Sequence, residues 1–346
     1  MSDAEAKKAS IRSTYSQVQH EVNLTGMLDT LTETTTAVAG LPNRIQQVRE
    51  RGYPFANYLE GKAEMLQKQW DQIDEDARNL IRRKARDLNQ ELEEIEPEYD
   101  SLMVAEGAKV DSISERLEQR LARVEEEIKA AQQQIRASFG EVPNNVNQTD
   151  RHLQDIEGYL DLADEASFQL LAGEGIFMAV KAEWEKTGKD KQDPDGIFYI
   201  TDKRIIMEQK EKVGKNFLGM GGEMQQEILW ESPIGAVDEV AHENKGLMGG
   251  KDIIHIQFGS GGPFGDTSLE VKGGIKAEWF AAQLKRAATG GLEKERGLEI
   301  DEELVAAVAN APTICPVCGA TFDQAIVAGM TQIKCMYCGA VTRLEL

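Results

Sequence analysis

The residues best suited to chemistry are four cysteines in two short pairs, Cys315-Pro316-Val317-Cys318 and Cys335-Met336-Tyr337-Cys338, each followed by a glycine. Two thiolates separated by two residues grip one metal ion because the tight turn between them aims backbone amides at the sulfurs. Glycine next in the chain, Gly319 or Gly339, lets the backbone turn past the second sulfur. Two such turns complete a tetrahedron. The spacing predicts a structural zinc site with Cys315, Cys318, Cys335 and Cys338 as ligands; iron is the competitor, disfavoured because few aromatics are at hand to shield a redox centre. Four protein thiolates leave no open position for water, so hydrolytic metal chemistry is not expected. A segment this short has almost no core. In zinc-finger peptides the metal contributes roughly 10 to 16 kcal/mol of folding free energy, and the same dependence is expected here.

Other candidate chemistry does not converge. His20, His152, His242 and His255 are scattered and show no HxxxH or HExxH spacing, so each is expected to be a surface or strand residue. The GMGG run from Gly219 and the GSGGPFG run from Gly259 lack the strand-to-helix setting and the lysine followed by Ser or Thr of a phosphate loop. The many helical Asp and Glu residues form carboxylate pairs without the other parts of an acid-base site. No catalytic residue is assigned, and the chain is expected not to be an enzyme.

The elements that hold the cysteine site belong to a chain of 346 residues, room for two or three domains. A formal net charge of -21 repels nucleic-acid phosphates and anionic lipid surfaces unless a local basic patch overrides it. Between Ile314 and Leu346 the only basic residues are Lys334 and Arg343, too few for a surface that tracks phosphates. No apolar run approaches the roughly 18 to 20 residues of a membrane-spanning helix, and the opening MSDAEAKKAS lacks a signal peptide's apolar centre. All four cysteines fall in the two pairs, which suits a reducing compartment. A cytoplasmic location, at most peripheral at a membrane, is expected.

Residues 1–150 read as helical coiled coil. Ile11, Tyr15, Val18, Val22, Leu28, Leu31 and Val38 recur at helical spacing until Gly40-Leu41-Pro42 stops the helix. A longer helix after Pro54 carries Leu66, Trp70, Ile73, Ala77 and Leu80; Ile81, Ala85, Leu88, Leu92, Ile95, Tyr99 and Leu102 continue the rhythm one residue out of step. A matching seam runs through Val110, Ile113, Leu117, Leu121, Val124, Ile128, Ala131 and Ile135. Pro97 and Gly107 bracket the reversal, which predicts an antiparallel hairpin with a first arm of roughly 70 Å. A polar loop, Glu141 to Asp150, then leads to a connecting helix over residues 151–172 with Leu153, Ile156, Leu160, Leu162 and Leu170.

From Gly173 glycines crowd the chain and short strands are predicted: Ile176–Trp184, Gly196–Ile200, Arg204–Gln209, Glu227–Trp230, Asp252–Phe258 and Thr267–Val271. A helix with Ile275, Trp279, Phe280, Leu284 and Ala288 on one side closes the unit. The opening Gly173-Glu174-Gly175-Ile176, the segment GIFYITDKRII from Gly196 to Ile206, the LWESPIGAVDEV stretch ending at Val240 and the AEWFAAQLKRA helix resemble GRAM and bacterial pleckstrin-homology-like domains. That resemblance implies a partly open barrel over residues 173–290, plugged by its last helix and used for docking. Two glycine-rich loops beside lysines, one with Phe217 and Leu218 and the other with Leu247 and Met248, have the composition to dip into a bilayer interface. Residues 291–312 read as an acidic helical linker. The cysteine spacing over 313–346 resembles the zinc-ribbon superfamily.

The fold class expected is therefore multidomain α+β: helical coiled coil, antiparallel β barrel capped by a helix, zinc ribbon. The function expected is that of an adaptor or scaffold that self-associates or binds protein partners through its coiled coil and docks a protein or lipid through the barrel. A peripheral factor in envelope stress or remodelling, with the two apolar loops at the membrane, and a zinc-ribbon transcription or translation accessory protein are the rivals; nucleic acid is the partner that the charge least supports.

Overall fold

A computed structural model describes residues 3–187, 193–213, 222–245, 250–298, 312–322 and 330–344. The chain forms two compact units, Met1–Asn43 with Glu60–Arg151, and Arg44–Leu59 with His152–Leu346.

The first unit is helical. Helices α1 (Asp3–Glu21), α2 (Thr25–Glu50), α3 (Leu59–Val104) and α4 (Ala108–Phe139) supply it. The seam on α4 from Val110 to Phe139 is buried throughout. Arg116 and Arg120 both reach Glu98, which fixes α3 and α4 as antiparallel neighbours with the reversal at Ala105 to Gly107, inside the expected bracket. The expected hairpin has more company than its two arms. Tyr15 of α1 stacks on Tyr99 of α3 at 4.1 Å, Lys7 pairs with Asp111 of α4 at 2.6 Å, and the Trp70 indole donates to Thr35 Oγ1 of α2 at 2.9 Å. Ile11, Val18 and Leu31 are buried against the hairpin in this way, and the apolar seam is covered within one chain.

Several element boundaries differ from expectation. α2 does not stop at Pro42; it runs through it, because Val38, Leu41, Ile45 and Val48 form one buried stripe whose packing outweighs the roughly 3 kcal/mol cost of an internal proline. α3 likewise passes through Pro97. The helix expected to be continuous from Ile11 to Val38 instead breaks at Leu24, a buried residue with φ 51°. The stretch Glu141 to Asp150, expected as a loop, lies almost wholly in helix α5 (Val142–Asp164), with Pro143 in the first turn where its missing N–H costs nothing. Leu170 lies beyond that helix.

The second unit is built on a seven-stranded antiparallel sheet. Its strands are β1 (Ile176–Trp184), β2 (Asp195–Thr201), β3 (Arg204–Val213), β4 (Glu223–Pro233), β5 (Val237–Lys245), β6 (Lys251–Phe258) and β7 (Asp266–Val271), in the order β4-β3-β2-β1-β7-β6-β5. The expected barrel is not closed: β4 and β5 are the two edges of the sheet, although only the 3₁₀ turn Ile234–Ala236 separates them in the chain. The polar outer positions of both edge strands, exposed along most of their length, give neither edge an apolar face to bury against the other. The link between the two halves is short, with Ala182, Glu183 and Trp184 of β1 pairing Val271, Glu270 and Leu269 of β7.

Helix α6 (Ala277–Ala288) lies against β5 and β6 and buries Ala277, Phe280, Ala281, Leu284 and Ala287. Asp252 Oδ1 accepts the Ala277 amide at 3.0 Å and so caps it. Trp279, expected on the packed side, is instead 47% exposed. β1 and β2 are covered on both faces: beyond the α6 side, Ile176, Ala179, Ile197, Tyr199 and Ile206 pack against Tyr159, Leu162 and Ala163 of α5 and against Ala166, Phe168 and Leu170. The chain after α6 makes a 3₁₀ turn at Glu293–Glu295, where acidic helix was expected. A short two-stranded sheet, β8 (Gln332–Lys334) with β9 (Val341–Arg343), belongs to the cysteine segment.

Candidate metal centre

The four cysteine sulfurs all lie within 4.8 Å of one another. Cys315 Sγ is 3.7 Å from Cys338 Sγ, and Cys318 Sγ is 3.6 Å from Cys335 Sγ. Four sulfurs at about 2.3 Å from a central ion in a tetrahedron stand about 3.8 Å apart. The residues therefore fit a metal of zinc's size and ligand taste.

The two halves of the site are one device used twice. The Cys315 amide donates to the Ala320 carbonyl at 2.8 Å and the Gly319 amide to the Cys315 carbonyl at 2.9 Å; Cys335, Ala340 and Gly339 repeat both bonds at the same lengths. Gly319 and Gly339 have φ of 73° and 74°, the left-handed turn that favours glycine. Cys315 and Cys335 are buried while Cys318 and Cys338 are exposed. Amides of Cys338 and Tyr337 point at the Cys335 sulfur and lower its pKa to about 7. The Ala320 amide acts in the same direction on Cys318, but hydrogen bonds shared with the other thiols, Cys338 foremost, carry it up to about 12. Between the cysteines of each pair the side chains point outward: Val317, Met336 and Tyr337 are 72, 88 and 73% exposed.

The Thr201-Asp202-Lys203-Arg204 turn that carried the sequence resemblance is occupied by its own fold. Thr201 Oγ1 accepts the amides of Lys203 and Arg204 and lies 2.7 Å from Glu174 Oε1. Arg204 forks onto the fully buried Glu174 carboxylate at 2.9 and 3.1 Å and reaches Glu231 at 2.6 Å. Asp202 accepts the Gly175 amide at 2.8 Å and an Arg296 N–H at 2.9 Å. Lys203 Nζ donates to the Ala172 carbonyl. The turn is a clamp that fastens residues 172–175 and Arg296 to the β2–β3 end of the sheet.

The histidines lie apart, as their spacing predicts. His255 sits in a cross-strand row, its Nδ1 2.7 Å from Ser268 Oγ and its Nε2 3.2 Å from Glu243 Oε1. Sequence reasoning missed that row because its members lie on three strands. His152 Nδ1 is 3.0 Å from the Tyr58 hydroxyl. Phe217, Leu218, Leu247 and Met248, the expected membrane-facing residues, lie outside the described residues, as does most of the 291–312 segment. Among the described residues no helix is long and apolar enough to cross a membrane.

No protein-family model matches the chain, and no curated protein matches it. Among solved structures it is similar to the N-terminal PH domain of Vps36 at 15% identity and a TM-score of 0.24, over 36% of this chain and 86% of that one. A DUF1696-family protein with a pleckstrin-homology domain from Shewanella loihica is similar at 13% identity and a TM-score of 0.22, over 38% and 91%. The DH/PH domains of p115-RhoGEF are similar at 11% and 0.24, over 83% and 98%. At these values no ligand or partner is carried over from them.

Proposed function

We propose that the chain is a non-enzymatic adaptor in which a pleckstrin-homology-like module docks a protein or lipid, the helical unit sets partner binding, and a structural zinc ribbon presents a contact surface. The observation that carries this reading is the closed set of four sulfurs with apolar tips beside it. Four thiolates would fill a metal's shell, which supports a folding role for the ion, and the side chains left outside the shell are Val317, Met336 and Tyr337, suited to protein contact.

The other polar arrangements support the same view. The Glu174, Asp202 and Arg204 groups are spent on internal bonds. The Ser268, His255 and Glu243 row has the parts of a proton relay, yet Ser268 stands mid-strand, paired with His255 in the β6–β7 ladder, and Glu243 is bonded to Lys245 at 2.8 Å in solvent. Nucleophilic catalysis needs donors aimed at a developing oxyanion, and a strand position inside a ladder is a poor place to gather them. Because the helical seam is buried within one chain, self-association would use the outer helix surfaces and not the seam. A cytoplasmic setting suits four reduced thiols.

The test is affinity purification of the full chain from its native cells, beside a Met336→Ser/Tyr337→Ser variant that keeps its zinc. A specific partner set that the variant loses is the expected result. Recovery of identical partners by both would remove the ribbon from the docking role.

A further inference from the structure

The second unit contains a cleft of about 320 Å³ that no sequence signal pointed to. Three remote stretches build it: the segment ahead of α3 gives Tyr53 and Tyr58, α5 gives His152, Asp155 and Tyr159, and α6 gives Trp279 and Arg286, with Phe177 and Met178 of β1 and Glu295 completing the lining. Tyr53, Phe177 and Met178 are buried, whereas Tyr58 and Trp279 are 49% and 47% exposed. The other three tryptophans, Trp70, Trp184 and Trp230, are at most 8% exposed, so the half-exposed indole on this cleft stands out.

The charges in the lining do not cancel. Arg286 is charge-paired: its guanidinium lies 5.0 Å from the Phe177 ring centroid and 3.3 Å from Glu295, and its buried Nε is the part of it without a hydrogen-bond partner. His152 is held by the Tyr58 hydroxyl. Asp155 makes neither a hydrogen bond nor an ion pair among the described residues. One uncompensated carboxylate therefore shares the lining with the rings of Tyr58, Tyr159 and Trp279, the Tyr58 ring being stacked on that of His152. An anionic guest would meet Asp155 and Glu295, and a neutral apolar guest would strip water from Asp155 without replacing it. A cation gains from the rings and the carboxylate together.

We propose that this cleft binds a small alkylated ammonium ion, with Tyr58, Tyr159 and Trp279 as the aromatic walls and Asp155 as the counter-charge. The site is separate from the ribbon and from the docking reading above. Trp279 doubles as its reporter, since it is the accessible indole among four.

The probe is choline, titrated into the full chain at constant ionic strength while indole emission and its quenching by acrylamide are followed. A saturable shift in emission with protection from acrylamide is expected, and Asp155→Asn should weaken choline binding about tenfold or more, a loss of about 1.4 kcal/mol. Trp279→Phe should abolish the optical change. The uncharged isostere 3,3-dimethylbutanol should bind at least about tenfold more weakly than choline. Asp155 is exposed, and an unchanged thermal transition verifies that the Asn variant folds. No saturable change with choline, equal binding of the neutral isostere, or an Asp155→Asn variant of undiminished affinity would each overturn the assignment.

Discussion

The Glu174–Arg204 pair shows how much of the β module rests on single side chains. The Glu174 side chain is fully buried and that of Arg204 is 14% exposed. Burial works against the Arg204 charge, and the hydrogen bonds it donates to Glu174, with the attraction of Glu174 and Glu231, outweigh it to leave the pKa raised. A carboxylate stripped of its charged partner in such a place keeps only the Leu171 amide and the Thr201 hydroxyl in place of water. Arg204→Ala is expected to cost about 3 kcal/mol in urea unfolding, and a Glu174→Leu/Arg204→Met double variant to recover most of that, because an apolar pair carries no desolvation penalty. A double variant as unstable as the single one would show that the loss lies in packing against Phe168, over whose ring the guanidinium sits at 5.5 Å. The clustering of the four cysteines was legible in the sequence while this clamp was not, for a physical reason. A CxxC knuckle closes on itself within six residues, whereas Glu174 and Arg204 stand 30 residues apart and their meeting depends on strand pairing.

Among elements, legibility follows where each element's stabilisation comes from. Strands β1, β3, β6 and β7 and helix α6 were recognisable from their apolar content, and the α3 and α4 seams from their period. β5 was not, since VDEVAHENK is an exposed edge held by its ladder to β6 and carries little apolar alternation. At the helix break the left-handed residue is Leu24 while the nearby Gly26 lies inside α2, so the local signal does not mark the place, and the passages through Pro42 and Pro97 oppose local propensity and are decided by tertiary packing. The α3–α4 hairpin also contains a repulsion. Glu91 shares a hydrogen bond with Glu127, and this contact, with partial burial, raises its pKa from 4.5 to about 6. Below pH 4.5 the group is protonated in folded and unfolded chains alike and contributes no difference. As pH rises toward 6 the folded chain holds the proton more tightly, so stability falls through that window and the full penalty remains at neutral pH. Glu91→Gln is expected to stabilise the protein by about 0.5 to 1 kcal/mol at pH 7, with the gain vanishing below about pH 4.5. Chemical unfolding at the two pH values measures it, and an equal gain at both would assign the effect to helix propensity.

For the whole molecule two quantities matter, the net charge of -21 and the occupancy of the four-cysteine cluster in the proposed ribbon. Like charges repel in the compact state, and raising ionic strength from 0.01 to 0.15 M shortens the screening length from about 30 to about 8 Å. The thermal midpoint is therefore expected to rise with added sodium chloride; a fall would mean that the ion pairs outweigh the net repulsion. The ribbon answers to a different variable. Its backbone bonds close within the segment, Cys315 to Ala320, Phe322 to Thr313, Cys335 to Ala340 and Leu344 to Thr331. It buries few apolar side chains, Ile333 and Leu344 among them. Without the ion that leaves little to offset chain entropy. The zinc-loaded chain is expected to bind one ion, and stripping it with a chelator at pH 7 should raise amide exchange across 312–322 and 330–344 to nearly unprotected rates. The amides of β1 to β7 should keep theirs, because their ladders and the core around Phe198, Phe280 and Leu284 contain no metal ligand. Cys335→Ser should reproduce the chelated pattern and lose the zinc. Exchange that rises together in the ribbon and the seven-stranded sheet would show that the metal organises the whole second unit, and the ribbon would then have to be understood as part of that unit's core.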